Sequence, residues 1–233
     1  MENSKPQESV WTVLTDTLTS PSEAFAAIAR TPRGLFPLLL LTLVSLAVSL
    51  YYFSVLDLAW WVDDTLAQAE LSGEQLEAAR DNLLQTGRGV LATIGTITAA
   101  LSTFIFILLQ AGYMSLAGAL TGSSFKFRHW FALAAWGSTP YLIGSIAMLV
   151  NIALHSTGQL SATALDPTSL AALGLNQSEA LEPLMRGITL PMLWSLALFV
   201  LGFSAWQQST IAKAAAIILT PYLLVLTVIL ALL

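Results

Sequence analysis

The tetrapeptide Thr-Pro-Tyr-Leu occurs twice, in AWGSTPYLIGSI (135–146) and in AIILTPYLLVLT (216–227). Both copies lie inside long apolar runs, where a proline removes one helical hydrogen bond. The carbonyls that lose their partners belong to Trp136 and Ile217, four residues before each proline. Thr139 and Thr220 directly precede the prolines, and their hydroxyls can bond back into the loosened turn. Each copy therefore predicts a helix kink with a partial repair.

The composition around these runs is that of a membrane protein. Of the 233 residues, 56% are hydrophobic and 10% are charged, whereas a soluble domain carries about 25% charged residues. A helix needs about 20 apolar residues to cross a bilayer, and in lipid the backbone must be satisfied internally. We therefore predict an all-α polytopic fold in which the lipid bilayer is the first partner. The five predicted spans are 35–58, 90–120, 131–154, 188–206 and 214–233.

Residues 1–34 precede the first span and contain two short amphipathic segments. Trp11, Val13 and Leu14 fall on one helical face, and Ser22 could cap a second helix carrying Phe25 and Ile28. These helices could lie on the cytoplasmic membrane surface, with Trp11, Leu14 and Phe25 in the interface. They could equally be an arm that packs against the helix bundle. The residues leave both interpretations open.

The distribution of basic residues predicts the orientation, because Lys and Arg are enriched on the cytoplasmic side. Six basic residues fall with the N-terminus and three fall with the opposite loops. The first group is Lys5, Arg30, Arg33, Lys126, Arg128 and Lys213, and the second is Arg80, Arg88 and Arg186. We therefore expect the N-terminus in the cytoplasm and the C-terminus outside. The chain has no basic patch typical of a nucleic-acid partner.

The sequence holds few residues that could do chemistry. It has no cysteine, and His129 and His155 are expected at opposite membrane faces. Enzyme motifs such as H-E-x-x-H and G-x-S-x-G are absent. We therefore predict no catalytic residue, no metal site, no cofactor and no enzymatic activity. Asp57, near the outer interface, is a candidate functional residue because carboxylates in spans are costly, although it can also reach water there.

The other candidate functional residues are the two kink segments. They are Thr139, Pro140, Tyr141, Thr220, Pro221 and Tyr222. Broken helices in corresponding positions can mark a transport site, and the two copies could belong to a faint internal repeat. The alternative is that both kinks only shape the bundle. In either case the kinks should face the bundle interior, because hydrocarbon cannot satisfy freed carbonyls.

Several segments together resemble the Yip (Ypt-interacting protein) domain family of integral membrane proteins. They are SPSEAFAAIARTP (20–32), SFKFRHWFALAAWGSTPYLIGS (124–145), DPTSLAALGLN (166–176) and MLWSLALFVLGFSAWQQSTIAKA (192–214). The resemblance implies five membrane helices and a cytoplasmic N-terminus. Eukaryotic members bind Rab GTPases and act in membrane traffic and membrane shaping. Their D-L-Y-G-P segment and long cytoplasmic arm are missing here, so GTPase binding is not carried over.

The chain is more similar to the bacterial branch of that family, which implies a bacterial inner-membrane location. The function predicted is that of a non-enzymatic membrane protein that organises lipid or protein partners, or copies of itself, through its bundle and arm. The alternative is a transporter or lipid-translocating protein that uses a groove beside the two kinks.

Overall fold

A computed structural model describes residues 8–67, 69, 71–175 and 178–232. These residues form ten α-helices, together with two short 3-10 turns at Ala162–Ala164 and Glu179–Leu181. The helices are α1 Val10–Thr19, α2 Pro21–Arg30, α3 Leu35–Val55, α4 Leu58–Ala67, α5 Glu74–Leu120, α6 Phe127–Gly137, α7 Tyr141–Leu154, α8 Glu182–Gly187, α9 Leu190–Gln207 and α10 Ile211–Leu232. No strand occurs among the described residues, so the all-α class is confirmed.

Five segments are long and apolar enough to cross a bilayer, as predicted. They are α3, α5, the α6–α7 segment Phe127–Leu154, α9 and most of α10. Most helix ends lie within four residues of the predicted bounds, as at Val55, where the first span ends instead of at Leu58. The large difference is at α5, which starts at Glu74, well before Val90. Helix α5 also contains a non-helical residue, Gly87, with φ +75°.

The early end of α3 has a non-local cause. The guanidinium of Arg88 donates to the Leu56 carbonyl at 2.7 Å, which occupies an acceptor at the end of the helix. The Asp57 amide donates to the Gly158 carbonyl at 3.0 Å instead of continuing the helical ladder. Gly158 has φ +70°, and a Cβ at this position would collide with the Val55 carbonyl oxygen. The chain therefore leaves the helix at Leu56 and starts α4 two residues later.

The described chain divides into two compact units. The first contains α1, α2, the start of α3, the C-terminal part of α5, α6, α9 and α10. Its core is built around α6, which is buried from Ala132 to its end at Gly137. Glycines let the neighbouring helices approach closely. A Cβ on Gly118 would lie 2.5 Å from the Trp130 ring, and one on Gly137 would lie 2.5 Å from Phe199.

The N-terminal helices belong to this first unit, and they settle one question that the sequence left open. Phe25 is 1% exposed, and its carbonyl accepts from the Trp206 indole at 3.1 Å. The expectation that Phe25 lies at the membrane surface is therefore wrong, and α2 is a packing arm. Helix α2 also starts at Pro21 with Ser20 at its N-cap, two residues earlier than a cap at Ser22 would give.

Helix α1 behaves differently from α2. Its N-cap is Ser9, whose hydroxyl accepts from the Trp11 amide at 3.3 Å. Val13 is buried, but Trp11 is 60% exposed and contacts Phe36 edge-on with ring centroids 5.3 Å apart. Helix α1 therefore presents a large aromatic side chain outward.

The second unit contains the end of α3, α4, the N-terminal part of α5, α7 and the residues up to Leu190. Its core consists of Val48, Tyr52, Leu56, Ile152 and Leu160. The Tyr52 hydroxyl donates to the Leu160 carbonyl at 2.8 Å, which fastens the loop after α7 to α3. The Asn151 amide donates to the carbonyls of residues 164 and 165 at 3.0 Å each.

Candidate functional site

The first Thr-Pro-Tyr-Leu copy divides the third span into two helices. Helix α6 ends at Gly137, residues 138–140 form a turn, and α7 begins at Tyr141. The amide and the hydroxyl of Thr139 both donate to the Trp136 carbonyl, at 3.0 and 2.8 Å. Thr139 and Pro140 are buried within the first unit. The predicted repair of the Trp136 carbonyl and the inward position of this break are confirmed.

The second copy leaves α10 continuous, with Pro221 inside the helix. Thr220 is exposed, and its hydroxyl donates to the Ala216 carbonyl at 2.6 Å rather than to Ile217. The freed Ile217 carbonyl instead accepts from the Tyr113 hydroxyl of α5 at 2.5 Å. The Thr220 hydroxyl thus bonds back into the preceding turn, as expected, but it does not meet the Ile217 carbonyl itself. The partner comes from a neighbouring helix, because the Thr220 side chain points away from the buried side of α10.

A second hydrogen bond joins the same two helices. The Tyr222 hydroxyl donates to the Gln110 side-chain oxygen at 2.7 Å, and Gln110 is only 6% exposed. Gln110 and Tyr113 are three residues apart and therefore share one face of α5. Gln110 therefore bonds across two helices of the first unit. We call the two contacts, Tyr113 to Ile217 and Tyr222 to Gln110, the α5–α10 seam.

The tyrosines of the two copies meet the same helix. Tyr141 contacts Phe106 edge-on with ring centroids 6.2 Å apart, while Tyr222 bonds Gln110, one helical turn further along α5. The structure thus brings Tyr141 and Tyr222 to one side of α5 in the first unit. Their described neighbours on α5 are different residues, and this arrangement is the one expected if the kinks shape the bundle.

Asp57 belongs to the second unit, and its contacts are those of a helix cap. One carboxylate oxygen accepts from the Trp60 amide at 3.2 Å, at the start of α4, and the other accepts from the Gln159 amide at 3.2 Å. These two bonds hold the pKa of Asp57 below its ordinary value. The bond from the Trp60 amide contributes most, and the bond from the Gln159 side chain comes next. The carboxylate is therefore ionised near neutral pH while it caps α4.

Sequence reasoning missed three residues that define these places. Tyr113 could have been found, because it follows Gln110 by three residues on the face that carries the buried amide. Arg88 and Gly158 could not, because their partners lie at Leu56 and Val55, more than 30 residues away along the chain.

Five apolar spans, whose central parts contain no Asp, Glu, Lys or Arg, and the hydrogen bonds between them define a polytopic α-helical membrane protein. The family model of the Yip1 domain matches residues 15–233, nearly the whole chain. The protein therefore belongs to the Yip1 domain family, as the sequence resemblance indicated. Neither the curated proteins nor the solved structures gave a match.

Proposed function

We propose that this protein is a non-enzymatic scaffold of a bacterial inner membrane that organises lipid or protein partners. Its N-terminus would lie in the cytoplasm and its C-terminus outside. The first unit would provide the helix bundle, and α1 would provide a surface that partners can reach.

The observation that carries this proposal is how the spans use their polar groups. Gln110 bonds Tyr222, Tyr113 bonds the Ile217 carbonyl, and Thr139 bonds the Trp136 carbonyl. In the second unit, Ser49 pairs with Thr96 at 3.1 Å. A catalytic site needs titratable groups that converge on a substrate. The polar groups named here join neighbouring helices or close the turn after α6, which supports a structural role.

The exposed part of α1 supports a partner surface. Helix α2 packs into the core through the buried Phe25, whereas Trp11, at the start of α1, is 60% exposed. Tryptophan is favoured at membrane interfaces and in protein contacts because its ring is apolar and its N–H is polar. Residue 11 is therefore the place to look for a neighbouring lipid or protein.

One observation favours the alternative, a lipid-translocating or transport protein. The third span is interrupted at residues 138–140, and interrupted helices line substrate sites in many transporters. The break in this chain is closed by Thr139, and for this reason we place the scaffold first.

A photo-crosslinking experiment and a lipid-flip assay separate the two functions. A photoreactive amino acid at position 11 should give discrete lipid or protein adducts in native membranes, whereas the same group at the buried position 25 should not. Purified protein in vesicles should not increase the rate at which fluorescent lipids of the inner leaflet become accessible to a membrane-impermeant reductant. Accelerated flip that disappears in a Thr139→Val variant would replace the scaffold with the translocator.

A further inference from the structure

We propose that the first unit binds the headgroups of anionic phospholipids through four basic residues, which we call the basic rim: Arg33, Lys126, Arg128 and Lys213. This inference names the chemical class of lipid partner, and in that respect it rests on the scaffold function proposed above.

The two units differ in how many of their basic residues have a partner within the protein. In the second unit every arginine is engaged: Arg80 pairs with Asp63 at 2.7 Å, Arg88 donates to backbone carbonyls, and Arg186 pairs with Glu182. In the first unit, Arg30 pairs with Glu8 at 2.9 Å. The four rim residues are exposed and have no acidic partner in the part of the chain that the structure describes. Their positive charges are available to a ligand.

The net charge of each unit follows the same division. The segments of the first unit carry six Lys and Arg against four Asp and Glu, whereas those of the second carry three against ten. An anionic ligand is therefore attracted to the first unit and repelled by the second. Anionic lipids attract basic residues at the ends of membrane helices by about 1 kcal/mol for each residue near the surface.

An exposed aromatic side chain accompanies two of the rim residues. Phe127 lies between Lys126 and Arg128 in the chain, is 49% exposed, and packs on Phe131 with ring centroids 6.3 Å apart. An exposed apolar side chain flanked by basic residues is typical of segments that lie at the boundary between headgroups and acyl chains. A lipid surface can therefore meet the basic residues with its phosphates and Phe127 with its acyl chains.

Contacts place Arg33 beside α6. A Cβ on Gly34, beside Arg33, would lie 2.6 Å from the Phe131 ring, so this segment packs directly on that side chain, and the Arg33 carbonyl accepts from the Trp136 indole at 3.0 Å. Trp206, at the end of α9, stacks on Phe125 with ring centroids 4.7 Å apart, and Lys213 lies in the first turn of the helix that follows, α10. Three of the four cations are thus beside or at the start of α6, and the fourth follows the helix end that packs next to it. A lipid surface can meet several of them together.

The test measures lipid selectivity of the full-length protein in mixed phosphatidylcholine and phosphatidylglycerol membranes. Electron spin resonance of spin-labelled lipids gives the ratio of the two association constants. We expect the wild-type protein to favour phosphatidylglycerol several-fold. K126Q/R128Q should bring that ratio close to one, because the surface attraction expected for two basic residues, roughly thirtyfold in association, exceeds a several-fold preference. About 1 M salt, with a Debye length of about 3 Å, should do the same.

Controls keep each outcome decisive. R80Q/R186Q removes the same charge from the second unit and should leave the ratio unchanged. K126R/R128K keeps the charge and should keep the preference, and K213Q alone gives a smaller loss if the double variant does not fold. A wild-type ratio of one, or a preference that survives K126Q/R128Q, overturns the inference. So does competition by inorganic phosphate at constant ionic strength, because the site would then take free phosphate. None of these results alters crosslinking from position 11, which tests the scaffold separately.

Discussion

The Tyr113 side chain supports α10 at the point where Pro221 interrupts its backbone hydrogen bonds. Pro221 has no amide to offer the Ile217 carbonyl, and the Tyr113 hydroxyl takes its place at 2.5 Å. An unpaired carbonyl in hydrocarbon costs several kcal/mol by transfer measurements. Hydrogen bonds measured within membrane proteins average about 0.6 kcal/mol and reach about 1.7, because the unfolded state also finds partners. The loss expected for a substitution is therefore on the scale of these measured values, not of the transfer energies.

We expect Tyr113→Phe to lower the free energy of unfolding by about 1 kcal/mol, measured by denaturation in detergent micelles. In a Pro221→Ala background the loss should shrink, because the restored backbone amide can meet the Ile217 carbonyl. Tyr51→Phe, at an exposed tyrosine, is the matched control and should be neutral. Equal losses in the two backgrounds would show that Tyr113 does not act through the proline.

Asp57 provides a pH-dependent prediction. Its pKa is held below the ordinary value, chiefly by the Trp60 amide and then by Gln159. A carboxyl whose pKa is lower in the folded state stabilises the fold fully above its ordinary pKa. That stabilisation is lost as the pH falls from the ordinary pKa through the pKa of the folded state. Asp57→Asn keeps the capping shape but removes the charge. Between about pH 5 and 3, unfolding temperature should therefore fall more steeply for wild type than for the variant. Parallel curves would assign the pH response to other groups.

At the scale of helices, apolar length predicts the number of spans but not where each helix ends. Runs of about 20 apolar residues are set by the bilayer, and all five were recognisable. The end of α3 depends on Arg88 and Gly158, and the break after α6 depends on how Thr139 folds back. These are contacts between distant segments or choices between two local hydrogen-bond patterns. Periodicity carries no information about them.

Two glycines on α5 test how closely the helices of the first unit pack. A Cβ on Gly118 would lie 2.5 Å from Trp130, whereas one on Gly112 would meet no atom within 4 Å. Gly118→Ala should therefore cost about 1–3 kcal/mol of unfolding free energy through overpacking. Gly112→Ala should be neutral or stabilise the helix by up to about 1 kcal/mol. The comparison requires only thermal melts of the two variants, and equal effects would contradict the close approach.

At the scale of the whole molecule, the basic residues that predict topology also fall into separate structural units. Of the residues expected on the cytoplasmic side, the five that the structure describes belong to the first unit, and the three expected outside belong to the second. This agreement could not be foreseen from composition, because the units are assembled from interleaved segments of the chain. The candidate residues divide in the same way, with both tyrosines in the first unit and Asp57 in the second.

The absence of native cysteine makes the orientation directly measurable by single-cysteine labelling. Ser124→Cys and Thr163→Cys place one thiol at an exposed position of each unit. In intact cells, an impermeant maleimide should label the second variant and reach the first only after permeabilisation, since Lys and Arg are retained in the cytoplasm. The reverse pattern would invert the proposed topology. It would also place the basic rim on the outer leaflet.

The buried position of α6 has a consequence for biosynthesis. The third and fourth spans are less apolar than the others, yet they are the most enclosed by protein. Helices α6 and α7 have 11 and 14 residues, and either alone is too short to cross a bilayer. The translocon therefore cannot release them one at a time into lipid as independent insertion units. We expect the two helices to integrate together as one apolar segment, Phe127–Leu154, which becomes enclosed only when α9 emerges and packs against α6.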